Sequence, residues 1–321
     1  MGNAWSDFSY NLHGILQAFP PKSQFSIDQI PDLTGRVVIV TGGNVGIGHE
    51  TCKALLMHNA KVYLAARSKE KALNAITLLK EQTGKETIFL ELDLSDLHSV
   101  KTAAEEFLSK EHELHILFNN AGVMWAPLDL LTKQGYDLQF GTNAIGHFAF
   151  TEFLMPALLA GVVSSPDHHT RIVTTSSSAG YVGKIDFDAI RDGPARRKLS
   201  TSQLYFNSKL ANGIVANQTA KRYADKGIIS VSLNPGNFVR TELGRYASPF
   251  LLFFLDKIVV PASTGALTQL YAGTMPEALN HNGAYFIPWA RVGRFREEAY
   301  DDILGEKMWK YLEGEVKKHT S

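Results

Sequence analysis

The chain has 321 residues, and its 32 Lys and Arg residues are balanced by 32 Asp and Glu residues. This length suffices for one large α/β core, and the balanced charge gives no indication of nucleic-acid binding. The one cysteine, Cys52, excludes an internal disulfide and fits a reducing compartment. The 11 histidines lack metal-ligand spacing, so we expect no metal site. We expect a cytoplasmic protein, with association to a membrane surface as an open alternative.

Residues 1–34 form a lead-in segment with scattered aromatic side chains. We predict that this segment packs on the following domain, and contact with a membrane is the alternative. The first six residues also match the short pattern for myristoylation of Gly2. No continuous run of 18 or more apolar residues occurs, so a membrane-spanning helix is not expected.

From Gly35 onward, apolar runs alternate with helical patterns. Seven runs have the length and composition of buried strands, namely 36–41, 61–66, 86–92, 114–118, 170–176, 228–233 and 284–287. Helical periodicity occurs near 47–59, 69–82, 96–110, 134–160 and 203–226. Such alternation is typical of βαβ units. It predicts a single α/β domain over 35–321, of the Rossmann-type doubly wound class. We expect a seven-stranded, mostly parallel sheet with helices on both faces.

The first predicted strand runs directly into a glycine-rich turn, which is followed by a helical pattern. Glycines allow tight turning, and the free N–H groups at a helix start face an anion. Strand, turn and helix together predict a cradle for a dinucleotide phosphate, although an ordinary strand-to-helix turn is the alternative. The predicted cradle residues are Gly42, Asn44, Val45, Gly46, Ile47 and Gly48.

The end of the second strand indicates which dinucleotide is bound. An acidic residue about twenty positions beyond the glycines would bind the ribose 2′-hydroxyl of NAD. Ala66 occupies that position and Arg67 follows it. A guanidinium suits a 2′-phosphate, so the sequence favours NADP(H) over NAD, with a solvated surface arginine as the alternative.

Polar residues also follow the third and fourth strands. Ligands of open parallel sheets bind beyond the carboxyl ends of the strands, so we expect Asp93 and Leu94 beside the adenine. Alternatively, Asp93 or Ser95 only caps the next helix. After the fourth strand, Asn120, Ala121 and Gly122 are predicted to border the cofactor.

Tyr205 and Lys209 lie four residues apart in a helical pattern, so their side chains share one helix face. A neighbouring cation favours the phenolate and lowers the pKa of a tyrosine, which makes it usable as a general acid/base. Such a pair is a frequent accident on its own. Here three further groups are expected at the same sheet edge: hydroxyls at 176–178, an amide at Asn143 and a turn at 234–236.

At this point the chain resembles the short-chain dehydrogenase/reductase family across residues 35 to about 290. The shared motifs are Thr-Gly-x-x-x-Gly-x-Gly at 41–48, Asn-Asn-Ala-Gly at 119–122, Asn143, the serine cluster, Tyr-x-x-x-Lys at 205–209 and Pro-Gly at 235–236. The resemblance implies an oxidoreductase in which hydride passes between nicotinamide and substrate carbon.

The same resemblance implies roles for single residues. Tyr205 would exchange the substrate proton, and Ser177 would bond the substrate oxygen, with Ser176 and Ser178 as alternatives. Lys209 would hold the nicotinamide ribose and lower the tyrosine pKa. Asn143 would support Lys209 through a water. Beyond the sixth strand the resemblance implies three more cofactor contacts, namely Pro235, Gly236 and Thr241.

One departure from the family pattern is the interval of 28 positions from Ser177 to Tyr205, which is longer than usual. This interval resembles the branch of retinol dehydrogenases and related carbonyl reductases. The extra segment, near 183–200, either takes part in binding or is a solvated loop.

An apolar segment near 242–262 stands where the family has its variable substrate lid. A lid over an apolar substrate, a subunit interface and a membrane-facing surface are three readings of this segment. We expect a small apolar carbonyl or alcohol as substrate, and a monomer or homodimer. Candidates for the pocket wall are Met124, Trp125, His147, Tyr181 and Phe238. A non-catalytic NADP-binding protein and a lipid-surface dehydrogenase are alternative functions.

Overall fold

The computed structural model describes residues 17–237, 239 and 259–320. Within them lies one sheet of eight strands in the order β3-β2-β1-β4-β5-β6-β7-β8. The strands are β1 Val37–Thr41, β2 Lys61–Ala66, β3 Ile88–Glu91, β4 Ile116–Asn119, β5 Thr170–Thr175, β6 Ile228–Leu233, β7 Tyr285–Ile287 and β8 Arg291–Gly293. β1 to β7 pair in parallel, and β8 pairs antiparallel to β7.

The Rossmann-type α/β class is confirmed, but the prediction of seven strands is wrong. The eighth strand has only three residues and is joined to β7 by a short turn. Three residues are too few to produce a readable alternation of apolar and polar side chains. A strand of this kind is defined by its pairing with β7 rather than by its own sequence.

Helices connect the strands and cover the sheet. The longer ones are α1 Gly46–Met57, α2 Lys69–Thr83, α3 Leu97–Lys110, α4 His147–Ser164, α5 Thr201–Tyr223, α6 Ala262–Thr274 and α7 Asp302–Thr320. A helical turn, Leu138–Phe140, and a π-helix, Gly141–Gly146, lead directly into α4, and Pro194–Arg197 forms another short turn. Single 3₁₀ turns occur at Ile27–Gln29, Ser178–Val182, Phe187–Ala189, Ala224–Lys226, Pro276–His281 and Glu297–Ala299.

Two apolar cores lie on opposite faces of the sheet. One contains buried side chains from α3, α4, α5 and α7, and the other contains side chains from α1, α2 and α6. Because both faces are covered, the central strands are buried along their whole length, as in β1 and β5. That explains why they read as continuous apolar runs in the sequence.

The strand order reverses direction between β1 and β4, which are neighbours in the sheet. β2 and β3 extend from β1 to one side, whereas β5 and β6 extend from β4 to the other. Ligands of doubly wound sheets bind at such a switch point, beyond the carboxyl ends of the strands. The topology therefore directs attention to the turns that follow β1, β4, β5 and β6.

The described part of the lead-in segment packs on the rest of the protein. Phe25, Ile30 and Leu33 are buried in the core that contains α1 and α6. Gln17 is also buried, with 4% of its surface exposed. The myristoylation pattern at the start of the chain lies outside the described residues.

Within the described residues, the helical stretch Leu138–Ser164 is long and apolar enough to cross a membrane, with a mean hydropathy of 1.4 over its best window. Polar residues such as Asn143 and Glu152 interrupt this stretch, so the sequence contains no continuous apolar run of 18 residues there. Inside the protein, 67% of that window is buried. Burial in a core accounts for this composition as well as a membrane would.

The extra segment near 183–200 is not a simple solvated loop, and its part in binding stays a prediction. Its Arg196 is 1% exposed and forms an ion pair of 3.1 Å with Asp137, which is 2% exposed. Asp137 also accepts from the N–H groups of Gln139 and Phe140, and so caps the helical turn that leads to Asn143. The segment therefore anchors the start of the helix that carries Asn143.

We predict that Asp137→Ala lowers the free energy of unfolding by about 3–5 kcal/mol, because it removes a helix cap and the more buried of the two carboxylate partners of Arg196. Urea denaturation measures this change. Arg197→Ala serves as the control, because the Arg197 side chain is 68% exposed and its ion pair with Asp192 lies at the surface. The control is expected to change stability by less than about 1 kcal/mol. Equal effects of the two variants would contradict the anchoring role.

Candidate active site

The glycine turn after β1 has the geometry of a phosphate cradle. Gly42 and Gly46 adopt φ values of +67° and +56°, which side chains disfavour. A Cβ atom on Gly48 would lie 2.3 Å from the Gly42 carbonyl oxygen, so the turn and the helix can approach only with glycine there. Val45 is the N-cap of α1 and supplies no side-chain cap. The first N–H groups of α1 therefore have no side-chain acceptor in the turn that precedes them.

The motif after β4 is bonded directly to this turn. The N–H groups of Asn120 and Ala121 both donate to Thr41 Oγ1 at 2.9 Å. The Asn120 amide donates to the Thr41 carbonyl oxygen at 2.8 Å. The carboxyl ends of β1 and β4 thus form one rigid floor at the switch point of the sheet.

His147 extends this floor to the helix that carries Asn143. Its Nδ1 lies 3.0 Å from the Asn143 carbonyl oxygen, and its Nε2 lies 2.9 Å from Thr41 Oγ1. A carbonyl oxygen only accepts, so Nδ1 carries the proton. Burial lowers the pKa of His147 to about 4, so Nε2 is unprotonated at neutral pH and accepts the Thr41 hydroxyl proton. Both ring nitrogens of His147 are therefore bonded internally, and its place in the pocket wall stays a prediction.

The residues expected beside the adenosine part of a dinucleotide differ in exposure. Arg67 is exposed at the end of β2, directly after the buried Ala66. Ser68 caps α2 by accepting from the Lys71 N–H. Asp93 is half-buried, and its Oδ1 accepts from the N–H and hydroxyl of Ser95.

The alternative in which Asp93 or Ser95 caps the helix after β3 is wrong. Asp96 is the N-cap of α3 and accepts from the His98 N–H. Asp93 instead closes a local turn with Ser95 at the end of the strand. Leu94 is buried, and its carbonyl oxygen would lie 2.3 Å from a Cβ atom on Gly146, so the turn after β3 packs directly on the π-helix.

Tyr205 and Ser177 come together at the carboxyl end of β5. Tyr205 is 5% exposed, and its side chain forms a hydrogen bond with the Ser177 side chain. Ser177 also accepts from the Ala179 N–H, which holds it at the start of a 3₁₀ turn. The two neighbouring serines have other partners: Ser176 donates to the Lys209 carbonyl oxygen, and Ser178 donates to Asn237 Oδ1. Of the three serines, Ser177 is therefore the one joined to Tyr205.

Lys209 is 2% exposed and lies one helical turn beyond Tyr205. Its Nζ donates to the carbonyl oxygen of Thr175, the last residue of β5, at 2.9 Å. The same nitrogen lies 5.7 Å from the centroid of the Tyr205 ring. The amide of Asn212, one turn further along α5, donates to the same Thr175 oxygen at 3.2 Å.

The expectation that Lys209 lowers the pKa of Tyr205 is wrong for this structure. Burial raises the pKa of Tyr205 to about 12, while the hydrogen bond with Ser177 acts in the opposite direction. Burial also lowers the pKa of Lys209 to about 7. Both shifts have one physical cause, since a site without solvent penalises the charged form of either group.

Asn143 is completely buried in the π-helix before α4. Its Oδ1 accepts from the Val123 N–H at 2.8 Å, and its Nδ2 donates to the Val123 carbonyl oxygen and to Ser208 Oγ, each at 3.0 Å. Ser208 in turn donates to the Tyr205 carbonyl oxygen at 2.7 Å. Asn143 therefore ties the loop after β4 to the helix that carries Tyr205 and Lys209.

The turn after β6 closes the site. Asn234 Oδ1 accepts from the Gly236 N–H at 3.1 Å, and Gly236 has a φ of +108°. A Cβ atom on Gly236 would lie 2.6 Å from the Trp289 ring. Thr241 and Phe238 lie outside the described residues, as does most of the predicted lid near 242–262. Tyr181, predicted for the pocket wall, is instead buried against Tyr285 and Phe295.

Several supporting residues were missed from the sequence: Gln17, Thr41, Val123, Ser208 and Asn212. Most of their contacts link residues far apart along the chain, which local spacing does not reveal. Thr41 and Ser208 are the ones that carried a signal, since each lies next to or within a motif. Within the described residues, no group of three or more His, Cys, Asp and Glu side chains could hold a metal ion.

A dinucleotide-binding α/β protein with a buried tyrosine and lysine is the class that this fold and site define. The sequence model described as short chain dehydrogenase matches residues 36–189. A short-chain dehydrogenase/reductase of Armillaria gallica is 59% identical over 99% of this chain and all of that protein. The chain therefore belongs to the short-chain dehydrogenase/reductase family and is an oxidoreductase.

Two further similarities refine this placement. Human retinol dehydrogenase 12 is 35% identical over 86% of this chain and 85% of that protein, which places the chain in the retinol dehydrogenase-like branch of the family. A solved structure of an uncharacterized protein from Mycobacterium paratuberculosis superposes with a TM-score of 0.71 at 27% identity, covering 92% of this chain and 98% of that one.

The buried, neutral His147 makes the free energy of unfolding depend on pH, and a single substitution can measure this contribution. Because its pKa is lower in the folded state than in the unfolded chain, the unfolded chain binds more protons as the pH falls below ~6.5. We predict that this residue alone removes about 3 kcal/mol of stability between pH 7 and pH 4.

Urea denaturation of the wild type and of His147→Asn across this pH range measures that contribution. The variant should show a shallower loss of stability with falling pH. His98→Asn, at an exposed position, should retain the slope of the wild type. A wild-type slope in His147→Asn would contradict the assignment of a neutral, internally bonded imidazole.

Proposed function

We propose that this protein is an NADP(H)-dependent oxidoreductase that interconverts an apolar ketone or aldehyde and its alcohol, with Tyr205 as general acid/base. The observation that carries the proposal is the buried Tyr205 hydroxyl, bonded to Ser177 one turn from Lys209. This arrangement lies at the carboxyl end of β5, on the same sheet edge as the glycine turn after β1.

The cradle fits a dinucleotide by shape and by polarity. The close approach at Gly48 leaves room for no side chain, and α1 begins without a side-chain cap. Both features suit a phosphate bound by backbone N–H groups. When bound, the nicotinamide would supply or accept the hydride, and the residues of this chain would bind and orient the reactants.

Tyr205 and Ser177 would polarise the substrate oxygen together. In carbonyl reduction, the carbonyl carbon would receive the hydride from the nicotinamide, and the Tyr205 hydroxyl would give its proton to the oxygen. Ser177 donates a second hydrogen bond to that oxygen, and Tyr205 is reprotonated from solvent. Since both hydroxyls are held in place before the reaction, little reorganisation is needed at that moment.

Lys209 and Asn143 would support Tyr205 and Ser177 without contacting the substrate oxygen themselves. Lys209 is held at the end of β5 by the Thr175 carbonyl oxygen, and from there it would hold the ribose of the nicotinamide. Asn143 links α5, through Ser208, to the loop after β4. We propose both as members of the catalytic set, with Asn143 acting through its neighbours.

The preference for NADP(H) rests on the end of β2. Ala66 offers no carboxylate to a ribose 2′-hydroxyl, and the exposed Arg67 offers a guanidinium to a 2′-phosphate. The apolar substrate class rests on the apolar composition of 250–255 and on the name of human retinol dehydrogenase 12. Retinol is an apolar alcohol.

We predict that Tyr205→Phe lowers kcat by about 10²–10⁴-fold, because it removes the proton donor and leaves the ring in place. The dissociation constant of NADPH should remain within about threefold, since the phenol acts on the substrate oxygen. The measurements are NADPH consumption with a panel of apolar carbonyls and fluorescence titration of NADPH.

Tyr223→Phe is the matched control, because Tyr223 ends the same helix, about 27 Å along its axis from Tyr205. It should retain wild-type turnover. Turnover of Tyr205→Phe at the rate of this control would contradict the mechanism.

We predict that Arg67→Asp weakens NADPH binding by about tenfold or more and leaves NADH binding unchanged or stronger, because it exchanges a cation for an anion beside the 2′ position. Lys80→Asp makes the same change of charge at the far end of α2, where the ion pair with Glu86 is exposed. It should leave both dissociation constants near their wild-type values. An unchanged NADPH constant in Arg67→Asp would count against the assignment of the cofactor.

A further inference from the structure

The lead-in segment contributes one buried polar side chain to the edge of the active site. Gln17 Nε2 donates to the Tyr181 hydroxyl oxygen at 3.2 Å, and Gln17 Oε1 accepts from Asn234 Nδ2 at 3.0 Å. These partners lie 164 and 217 residues away in sequence. Tyr181 belongs to the turn after Ser177, and Asn234 precedes Pro235 and Gly236.

The direction of each hydrogen bond is fixed by its neighbours. The Tyr181 hydroxyl donates its one proton to the Arg294 carbonyl oxygen, so toward Gln17 it can only accept. The amide nitrogen of Gln17 must therefore face Tyr181, and its oxygen must face the amino group of Asn234. A side chain with the wrong donor and acceptor order would not fit this position.

Gln17 closes a ring of hydrogen bonds between two turns. Asn234 Nδ2 also donates to Asn237 Oδ1 at 2.9 Å, and Ser178 Oγ donates to the same oxygen at 2.7 Å. Ser178 and Tyr181 belong to one 3₁₀ turn, Ser178–Val182. That turn therefore meets the turn after β6 at two points, one through Asn237 and one through Gln17.

We infer that Gln17 is a positioning residue, which holds the turn after Ser177 and the Pro235-Gly236 turn at a fixed separation. The inference rests on the proposed function, in which Ser177 binds the substrate oxygen and the second turn borders the nicotinamide. Hydride transfer needs the nicotinamide carbon and the substrate carbon at the right distance and orientation, and a small misplacement reduces the rate strongly. The lead-in segment would thus be part of the catalytic unit.

Docking of the segment does not itself require this amide. Phe25, Ile30 and Leu33 already bury apolar surface in the core, and burying an amide gains little stability compared with an apolar side chain. The position of Gln17, bridging two turns of the site, therefore favours a role in geometry over a role in docking.

Gln17→Met tests the inference, because it keeps the length of the side chain and removes both hydrogen bonds. We expect kcat for NADPH-dependent carbonyl reduction to fall about tenfold, with KM for the carbonyl within about twofold, since alignment is lost and substrate contacts remain. Gln24→Ala is the matched control, since Gln24 is an exposed glutamine of the same segment, and it should retain wild-type kcat. A lower melting temperature of Gln17→Met with unchanged kcat would overturn the inference.

A double-mutant cycle with Tyr181→Phe tests the ring directly. Tyr181→Phe removes the acceptor for Gln17, so its effect on kcat should be at least about threefold smaller in the Gln17→Met background than in the wild type. Fully additive effects would show that the two residues act independently and would contradict the ring.

Hydrogen exchange separates this inference from the proposed function. In protein without cofactor, Gln17→Met should accelerate amide exchange about tenfold at Gly236 and in 178–182, and Gln24→Ala should not. Unchanged exchange there would overturn the inference even if Tyr205→Phe abolishes turnover. If exchange is accelerated but the wild type reduces no carbonyl on the panel, the positioning role of Gln17 is supported. Only the proposed function is then contradicted.

Discussion

The hydrogen bond from Lys209 Nζ to the Thr175 carbonyl oxygen is the contact on which the site depends. Thr175 is the last residue of β5, so this bond fastens α5 to the sheet where the strand ends and its carbonyl becomes available. Burial lowers the pKa of the lysine to about 7, and a buried ammonium without an acceptor would be expelled or deprotonated. Asn212 donates to the same oxygen, which strengthens the attachment. Tyr205, one turn earlier, is carried to the strand end as a consequence.

Neutral groups do most of the remaining positioning. Asn143 uses both ends of its amide on the backbone of Val123, and Thr41 uses its hydroxyl oxygen on the N–H groups after β4. Such bonds between neutral groups are short-range and directional, and salt screens them little. His147 joins this set because burial keeps its imidazole neutral. Because these groups are neutral, the positions of the side chains around Tyr205 do not depend on charges that would change during the proposed reaction.

The sequence allowed prediction of the features that follow from local spacing. The glycine turn after β1 and the pair Tyr205 and Lys209 obey rules of strand, turn and helix geometry over a few residues. β8 could not be predicted, since three residues carry no periodicity, and its pairing with β7 decides its conformation. The contact of His147 with Thr41 spans 106 residues, and those of Gln17 span more. Arg196 resembled a solvated charge because its partner, Asp137, lies on another element.

The pKa of Tyr205 shows why a local charge pair misled the sequence analysis. A neighbouring cation favours the phenolate, whereas complete burial disfavours the charged form and can shift the pKa of a group by up to ~3–5 units. Burial therefore prevails and raises the pKa of Tyr205 to about 12. The proton consequently stays on the phenol at neutral pH, which is the form that the proposed role as an acid would need. Oxidation of an alcohol would require the phenolate, whose formation is disfavoured by burial.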